Sequence, residues 1–472
     1  MEYERMKPKT IFTLFFLLLV FSSHFSEARN KKPNILIIMG DDCTYNDLPV
    51  YGGVNIFTPN IDKLASEGLI FNKAYLTMSM CVPCRAELYS GRYPVTSGVC
   101  WNHSRAKSGI RGIGQYLGDL GYRVGLAGKT HAEPNSVYRF EMVEGIERDC
   151  VSKTAAFDPA GVIDFMTRDK NQPFCLSVAF TMPHAPWTVG DNTRFDPDKL
   201  TLPPYLADTK DTREDYVNYL AEIEELDRQV GKLLQLLEIS GEADNTIVLF
   251  TSEQGAQFPG CKWTNWNTGI HTGFIVKWPG IVTEGKRTNA IIHYCDVLPT
   301  LIHIAGGEVP SGEFDGISFL PLLQNKTDKH REFAYFMHNN VPEGPPYPIR
   351  SVTNGTYLYI RNLAPENIYI EKHMMGQMMW HKYWPSWVYE TAENEHTNYL
   401  VNRFLVRPEE ELYNTENDPY NFNNLISDET LSNVIQQLSE ALDLWMKDEG
   451  DPGAVLDSWE NLNASRNDKH NY

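Results

Sequence analysis

A chain of 472 residues, 42% of them hydrophobic, can build one large α/β domain and a smaller companion. Its formal net charge of −19 argues against nucleic acid and against an anionic bilayer surface as partners. Eight cysteines, at 43, 81, 84, 100, 150, 175, 261 and 295, are too few for a disulfide scaffold, and their pairing cannot be read from sequence.

Residues 1–28 stand apart. Lys7 and Lys9 precede an apolar run from Ile11 to Phe21, and Ser26-Glu27-Ala28 offers a small-residue cleavage site. The run is shorter than the roughly 20 residues a membrane-spanning helix needs, so it reads as a signal peptide. Export follows, to the periplasm or the medium, without stable membrane insertion. No cysteine directly follows the run, which argues against a lipoprotein anchor. Four Asn-x-Ser/Thr sequences, at Asn102, Asn325, Asn354 and Asn463, would matter only in a eukaryotic secretory host.

From Pro33 the apolar run Ile35–Met39 reads as a strand buried on both faces, as in a parallel sheet, and ends in Asp41 and Asp42. Thr58-Pro59 opens a helix that runs through Ala65 to Gly68. Cys81 to Arg92 reads as a loop entering a short helix, with Pro83 at the first helical position and Gly91 just past the last turn. Ile110 to Leu120 is a predicted helix, and Tyr122 to Gly128 a strand followed by Lys129 and His131. Phe174 to Phe180 is a strand followed by His184; Asp211 to Ser240 is a long amphipathic helix stopped by Gly241. Thr246 to Thr251 is a strand followed by Glu253 and Gln254; Gly273 to Trp278 is another strand, and Tyr294 to Ala305 a helix. A domain over 33–330 results. From 331 to 472 the chain is aromatic and loop-rich, with a hairpin across Asn354-Gly355 and a final helix from about Glu429 to Met446.

Four buried strands thus end in polar or ionisable residues. In an open α/β sheet, sites form outside the carboxyl ends of the strands. Asp41, Asp42, Glu253 and Gln254 offer only oxygen donors, the set that hard divalent cations, Ca²⁺ above all, select. Cys81, just ahead of a helix N-terminus, sits where backbone N–H groups favour an anion or a thiolate; a buried structural cysteine is the alternative reading.

The run Cys81-Val82-Pro83-Cys84-Arg85, followed by Ser90-Gly91-Arg92, resembles the signature of the type I, formylglycine-dependent sulfatases. The resemblance extends over nearly the whole chain after residue 33. It implies an alkaline phosphatase-like fold: a large mixed, mostly parallel sheet sandwiched by helices, with a smaller C-terminal α+β subdomain holding a short antiparallel sheet and a terminal helix. It implies that Cys81 is converted to formylglycine by a formylglycine-generating or anaerobic sulfatase-maturating enzyme, and that Arg85 partners it. Lys129 and His131 match the family's Gly-Lys-x-His, His184 its Pro-His-x-Pro, and Lys262 a lysine downstream of the metal pair. One Ca²⁺ is implied on Asp41, Asp42, residue 81, Glu253 and Gln254. Two departures stand out: Cys84 replaces the usual Ser or Ala, and Glu253-Gln254 stands where Asp-Asn or Asp-His is usual.

For substrate binding the sequence offers His103 and Arg105 beside Trp101, His271 near Trp263 and Trp266, and Arg350 reaching in from the C-terminal part. Aromatic faces with scattered His, Asn and Arg suit a sulfated oligo- or polysaccharide; an algal polysaccharide such as ulvan and a glycosaminoglycan fit equally well. Two other readings remain open at this level: a phosphate or phosphonate ester hydrolase of the same superfamily, and a silent sugar-binding protein with unconverted Cys81.

Overall fold

The computed structural model describes residues 31–376 and 379–467; the expected signal peptide lies outside them. The strands in chain order are β1 (Asn34–Met39), β2 (Leu69–Phe71), β3 (Ala74–Tyr75), β4 (Arg123–Gly128), β5 (Glu141–Val143), β6 (Phe174–Ala179) and β7 (Thr246–Thr251). They continue as β8 (Phe274–Lys277), β9 (Lys286–Thr288), β10 (Ile292–His293), β11 (Ala334–His338), β12 (Ile349–Thr353), β13 (Tyr357–Asn362) and β14 (Glu410–Asn414). Eight form one sheet in the order β5-β4-β6-β1-β7-β8-β2-β9. From β5 to β7 every pairing is parallel; β8 runs antiparallel to both its neighbours.

The parallel centre explains the apolar runs. Every residue of β1, β6 and β7 is buried, because helices cover both faces of the sheet. Ile37 sits opposite Ser177 on one side and Leu249 on the other. In this register β4, β6, β1 and β7 all end on the same edge, so four loops distant in sequence start side by side.

The long helix observed at Lys210–Ser240 starts one residue earlier than read from the sequence. The Thr209 hydroxyl accepts the N–H of Thr212 at its start, and Gly241 at φ +74° ends it. Its apolar stripe, including Leu220, Ile223, Leu226, Val230 and Leu233, is buried. It also supports the loops at the sheet edge: the Tyr219 hydroxyl accepts from the N–H of Thr44 (3.0 Å) and donates to Asp47 (2.9 Å).

β11 to β14 form a separate four-stranded antiparallel sheet, with β12 and β13 joined across Asn354-Gly355. The helix Ser432–Asp448 lays Trp445 flat on Tyr335 of β11, ring centroids 5.3 Å apart; it is not the last, because a further helix, Trp459–Asn467, follows it. Between β13 and β14, besides the single turn Lys372–Met375, the expected loop contains two longer helices, Tyr383–Glu390 and Glu395–Leu405. The first of these two is aromatic and carries Pro385, a poor helix sequence by propensity. Tertiary packing overrides that: Trp387 is buried and its indole N–H reaches the Thr212 hydroxyl (2.7 Å).

Arg350 corrects the sequence reading. It is fully buried in β12, paired with Asp451 (Nη2 to Oδ1 2.9 Å) and with the carbonyls of His338, Ile349 and Gly453. A guanidinium spent on these partners ties the sheet to the 451–453 turn and does not reach a substrate. Removing one partner of a buried ion pair costs about 3–5 kcal/mol. Arg350→Ala is therefore expected to lower the melting temperature markedly while the KM of the folded enzyme stays put, as calorimetry and steady-state kinetics would read.

Candidate active site

The helix Cys81–Ser90 aims its N-terminus at the sheet edge, with Met80 as its cap and Gly91 at φ +68° ending it. It begins two residues before the position read from sequence, so Pro83 is its third residue. That placement costs nothing, since the first four N–H groups of a helix lack intrahelical partners. One of them, on Val82, is taken by the Asn102 side chain (3.3 Å). Asn102 is thus a buried capping group.

Around Cys81 the strand-end residues close in. Its sulfur lies 3.7 Å from Asp41 and 3.6 Å from Asp42, and accepts from Lys262 Nζ (3.2 Å) and Gln254 Nε2 (3.1 Å). Lys129 Nζ bonds both oxygens of Asp41 (2.8 and 2.6 Å), and Lys262 Nζ bonds Asp42 Oδ2 (2.6 Å). Arg85 donates to Glu253 Oε1 (2.7 Å) and to the carbonyl of Lys129 (3.0 Å). Gly128 makes the approach of β4 possible: at φ +90°, a Cβ there would lie 2.1 Å from the Ala179 carbonyl oxygen.

Three of these residues stand in the left-handed region, Asp42 (φ +66°), His131 (φ +40°) and Glu253 (φ +62°). Such conformations cost about 1–3 kcal/mol each and persist where the surroundings over-determine them. For Glu253 they answer the question of its extra methylene. The turned backbone folds the carboxylate back, so that Oε2 accepts the N–H of Asp42 (3.2 Å) and Oε1 meets Arg85.

Charge shapes the cluster. Burial works against ionised Asp41, yet Lys129, His184 and Arg85 hold its carboxyl well below the usual range. Burial likewise opposes the Lys129 ammonium, which Asp41 nonetheless lifts well above its usual value. Glu253 is pushed up to about 8 by burial, with Arg85 pulling it down and Asp41 and Asp42 adding to the rise. Burial, then Asp42 and Glu253, keeps the Cys81 thiol protonated. Burial and Lys129 hold both His131 and His184 well below the ordinary imidazole range.

The donor set fits a hard divalent cation. Asp41, Asp42, Glu253 and Cys81 each bring one ligand atom, all within 4.8 Å of one another and all buried. Gln254 adds a sign of its own: its Oε1 is buried with no hydrogen-bond partner among the described residues, while its Nε2 faces Asp42 (2.6 Å). The two ends of an amide are nearly equal in size, so a half-turn exchanges them and supplies another oxygen donor. Arg85, Lys129 and Lys262 stand against the three carboxylates, so positive charge gathers here in a chain of net charge −19, and a divalent cation would add to it.

A pocket of about 180 Å³ opens onto the cluster. It is lined by Cys81, His131, His184 and Lys262 on the sheet side, with His103 at its rim. The lining is completed by Trp263, already among the aromatic residues read from the sequence, and by residues that reading missed: Cys150 and Val151 from the loop after β5, Gln257 after β7, and His373 and Trp380 from the C-terminal part. His373 stacks on Trp263 (5.2 Å, 10°) and on Trp380 (6.3 Å, 22°), and its Nε2 lies 2.7 Å from Glu343. Only the aromatic richness of 331–472 hinted at this wall.

Arg105 and His271 are placed elsewhere. Arg105 is half-exposed and pairs with Glu133 (2.9 Å). His271 is buried between Tyr45 (3.8 Å) and Tyr75 (5.0 Å) and lines a different cavity, beside Lys73 and Arg287. Their local sequence is polar and aromatic, but the chain turns them away from Cys81. Among the described residues all eight cysteines are unpaired, and no helix is long and apolar enough to cross a membrane.

Fixed positive charge behind a small pocket suits the cleavage of an anionic ester. Comparison with known proteins defines which. The sulfatase family profile matches residues 33–307, and the profile for the C-terminal part of N-sulphoglucosamine sulphohydrolase matches 262–363. An ulvan-active sulfatase of Formosa agariphila is 30% identical over 90% of this chain and 82% of its own. Human N-sulphoglucosamine sulphohydrolase is 24% identical over 90% of this chain and 92% of its own. Among solved structures, BT4656 in complex with its substrate D-glucosamine-2-N,6-O-disulfate superposes with a TM-score of 0.66 at 21% identity, covering 89% of this chain and 99% of that one. The chain belongs to the sulfatase family. It is a sulfuric ester hydrolase with the alkaline phosphatase-like fold.

Proposed function

We propose that the enzyme is exported, to the periplasm or the medium, and removes sulfate from a sulfated saccharide through formylglycine at position 81 and a Ca²⁺ ion. The observation that carries the saccharide reading is the mixed lining of the pocket, where the charged cluster at Cys81 adjoins the Trp263–His373–Trp380 stack, an aromatic surface of the kind that suits a sugar ring. The names of the ulvan-active and sulphoglucosamine relatives support it.

Formylglycine at 81, when hydrated, would supply a hydroxyl nucleophile, and a cation on Asp41, Asp42, residue 81, Glu253 and Gln254 would supply charge stabilisation at the sulfuryl oxygens. Lys262, which lines the pocket, would hold those oxygens, with the charge of Lys129 added from behind Asp41. Arg85 keeps Glu253 in place behind the site and offsets its charge. His184 as imidazolium would protonate the leaving sugar oxygen; burial first, then the Lys129 and Lys262 ammonium groups, depress its basicity, and the arriving sulfate anion counters the latter. Lys262, also beside residue 81, shares that task. The neutral His131 imidazole takes the proton from the remaining hydroxyl at position 81.

Sulfate release from a panel of defined sulfated oligosaccharides tests the substrate class. Trp380→Ala is expected to raise KM on the best of them by about 10-fold, the loss of one stacking face worth about 1 kcal/mol or more. Turnover of aryl sulfates and phosphonate esters with none on any sulfated sugar would overturn the saccharide reading.

A further inference from the structure

Behind His184 lies a buried ion pair that the proposed chemistry does not use. Lys153, on the loop between β5 and the Pro159–Thr167 helix, pairs with Glu222 of the long helix (3.1 Å), both side chains fully buried. The ammonium donates to the carbonyl of His184 and to the carbonyl of Pro186 (2.6 Å), and its charge stands beside Glu222 Oε2 as an ion pair. Glu222 Oε1 in turn accepts the N–H groups of Thr188 (2.6 Å) and Val189 (3.2 Å). One ion pair thereby fixes four backbone groups of the 184–189 segment.

The consequence for the imidazole is direct. His184 Nδ1 bonds the carbonyl of Ala185, the residue between the two carbonyls that Lys153 grips. An N–H at Nδ1 bonded to Ala185 O leaves Nε2, 3.6 Å from Asp42 Oδ2, as the atom that carries the transferable proton in the imidazolium form. Ring orientation and tautomer therefore depend on where Ala185 O stands. The same lysine, two residues after Val151, connects the Cys150–Val151 lining of the pocket to the His184 segment. Buried ion pairs add little stability over apolar replacements of similar volume, so a positional role accounts better for a lysine here.

We propose that Lys153, anchored by Glu222, is a positioning residue that sets the His184 imidazole toward the leaving oxygen of the substrate. The proposal rests on the reading of His184 as the proton donor to that oxygen. A sugar alkoxide needs the proton and a nitrophenolate does not, so mispositioning shows in the leaving group.

The test compares kcat and KM on a sulfated sugar and on nitrophenyl sulfate for Lys153→Met, His184→Ala and the double variant. Misplacement of a catalytic group by about 1 Å costs on the order of 10²-fold. Lys153→Met is expected to lower kcat on the sugar by at least about 10-fold, with KM little changed and a clearly smaller loss on nitrophenyl sulfate. In the His184→Ala background it is expected to add less than about 3-fold, since its effect runs through that ring. Equal losses on both substrates, or a full further loss in that background, overturn the role of Lys153 while leaving His184 as the acid. Equal losses in His184→Ala itself overturn the acid role, and the role of Lys153 with it. Should Lys153→Met not fold, Glu222→Gln decides. It keeps the volume and both bonds from Thr188 and Val189 but withdraws the charge that anchors the ammonium. The same split between substrates is expected, and equal losses overturn the proposal.

Discussion

Cys81→Ala is expected to abolish sulfate release from every substrate while the protein stays folded. The reasoning starts from position. Residue 81 is the first residue of its helix, and its sulfur is the point on which Asp41, Asp42, Gln254 and Lys262 converge. Losing a covalent nucleophile elsewhere has cost about 10⁶-fold in kcat, so a loss of at least 10⁴-fold is the scale to expect. The structural penalty is small. Alanine is a good helix former, and trimming one buried sulfur costs about 1 kcal/mol. Peptide mass spectrometry of active wild-type protein is expected to show residue 81 without its thiol sulfur and with an aldehyde in its place. Full activity in Cys81→Ala, or an unaltered cysteine in fully active protein, would overturn the formylglycine reading.

The second large effect is expected at Asp42. Its Oδ2 holds Lys262 (2.6 Å) and its Oδ1 faces Gln254 (2.6 Å), so it shares one carboxylate between the cation site and a pocket lysine. Alanine would be a poor probe, because φ is +66° and a side chain without a local hydrogen bond is strained there. Asparagine tolerates that region and matches the shape, so Asp42→Asn isolates the charge. Removing it leaves two carboxylates against three cations. Divalent metal measured in the purified variant is expected to fall well below one per chain, and kcat/KM by about 10²–10³-fold, the scale for removing one preorganised electrostatic group. Wild-type enzyme stripped by a chelator is expected to recover with Ca²⁺, and the variant not. Stoichiometric metal and full rate in Asp42→Asn would overturn the assignment.

The chemistry at the sheet edge was legible in the chain because of a local regularity. A strand buried on both faces reads as an unbroken apolar run, and where it leaves the sheet the next residues are free to be polar. Asp41-Asp42, Lys129 and His131, His184, and Glu253-Gln254 each follow such a run. The helix at Lys210–Ser240 was likewise local, marked by its stripe and its glycine stop; the Thr209 cap came only with the structure.

What local patterns cannot carry is which partner a side chain meets. Arg350, Arg105 and His271 have the composition of substrate-binding groups. The fold spends Arg350 on Asp451 and Arg105 on Glu133, and seats His271 against Tyr45. His373 and Trp380 lie in a stretch with no motif, yet packing sets His373 against Trp263 and Trp380 against His373. Lys153 looks like any surface lysine until β5, β6 and the long helix meet around it. The physical reason is one of range. Backbone propensity and burial period act over a few residues and mark where elements begin and end. The strand order β5-β4-β6-β1-β7, and the long-range pairings that satisfy each buried charge, arise only when the whole sheet assembles.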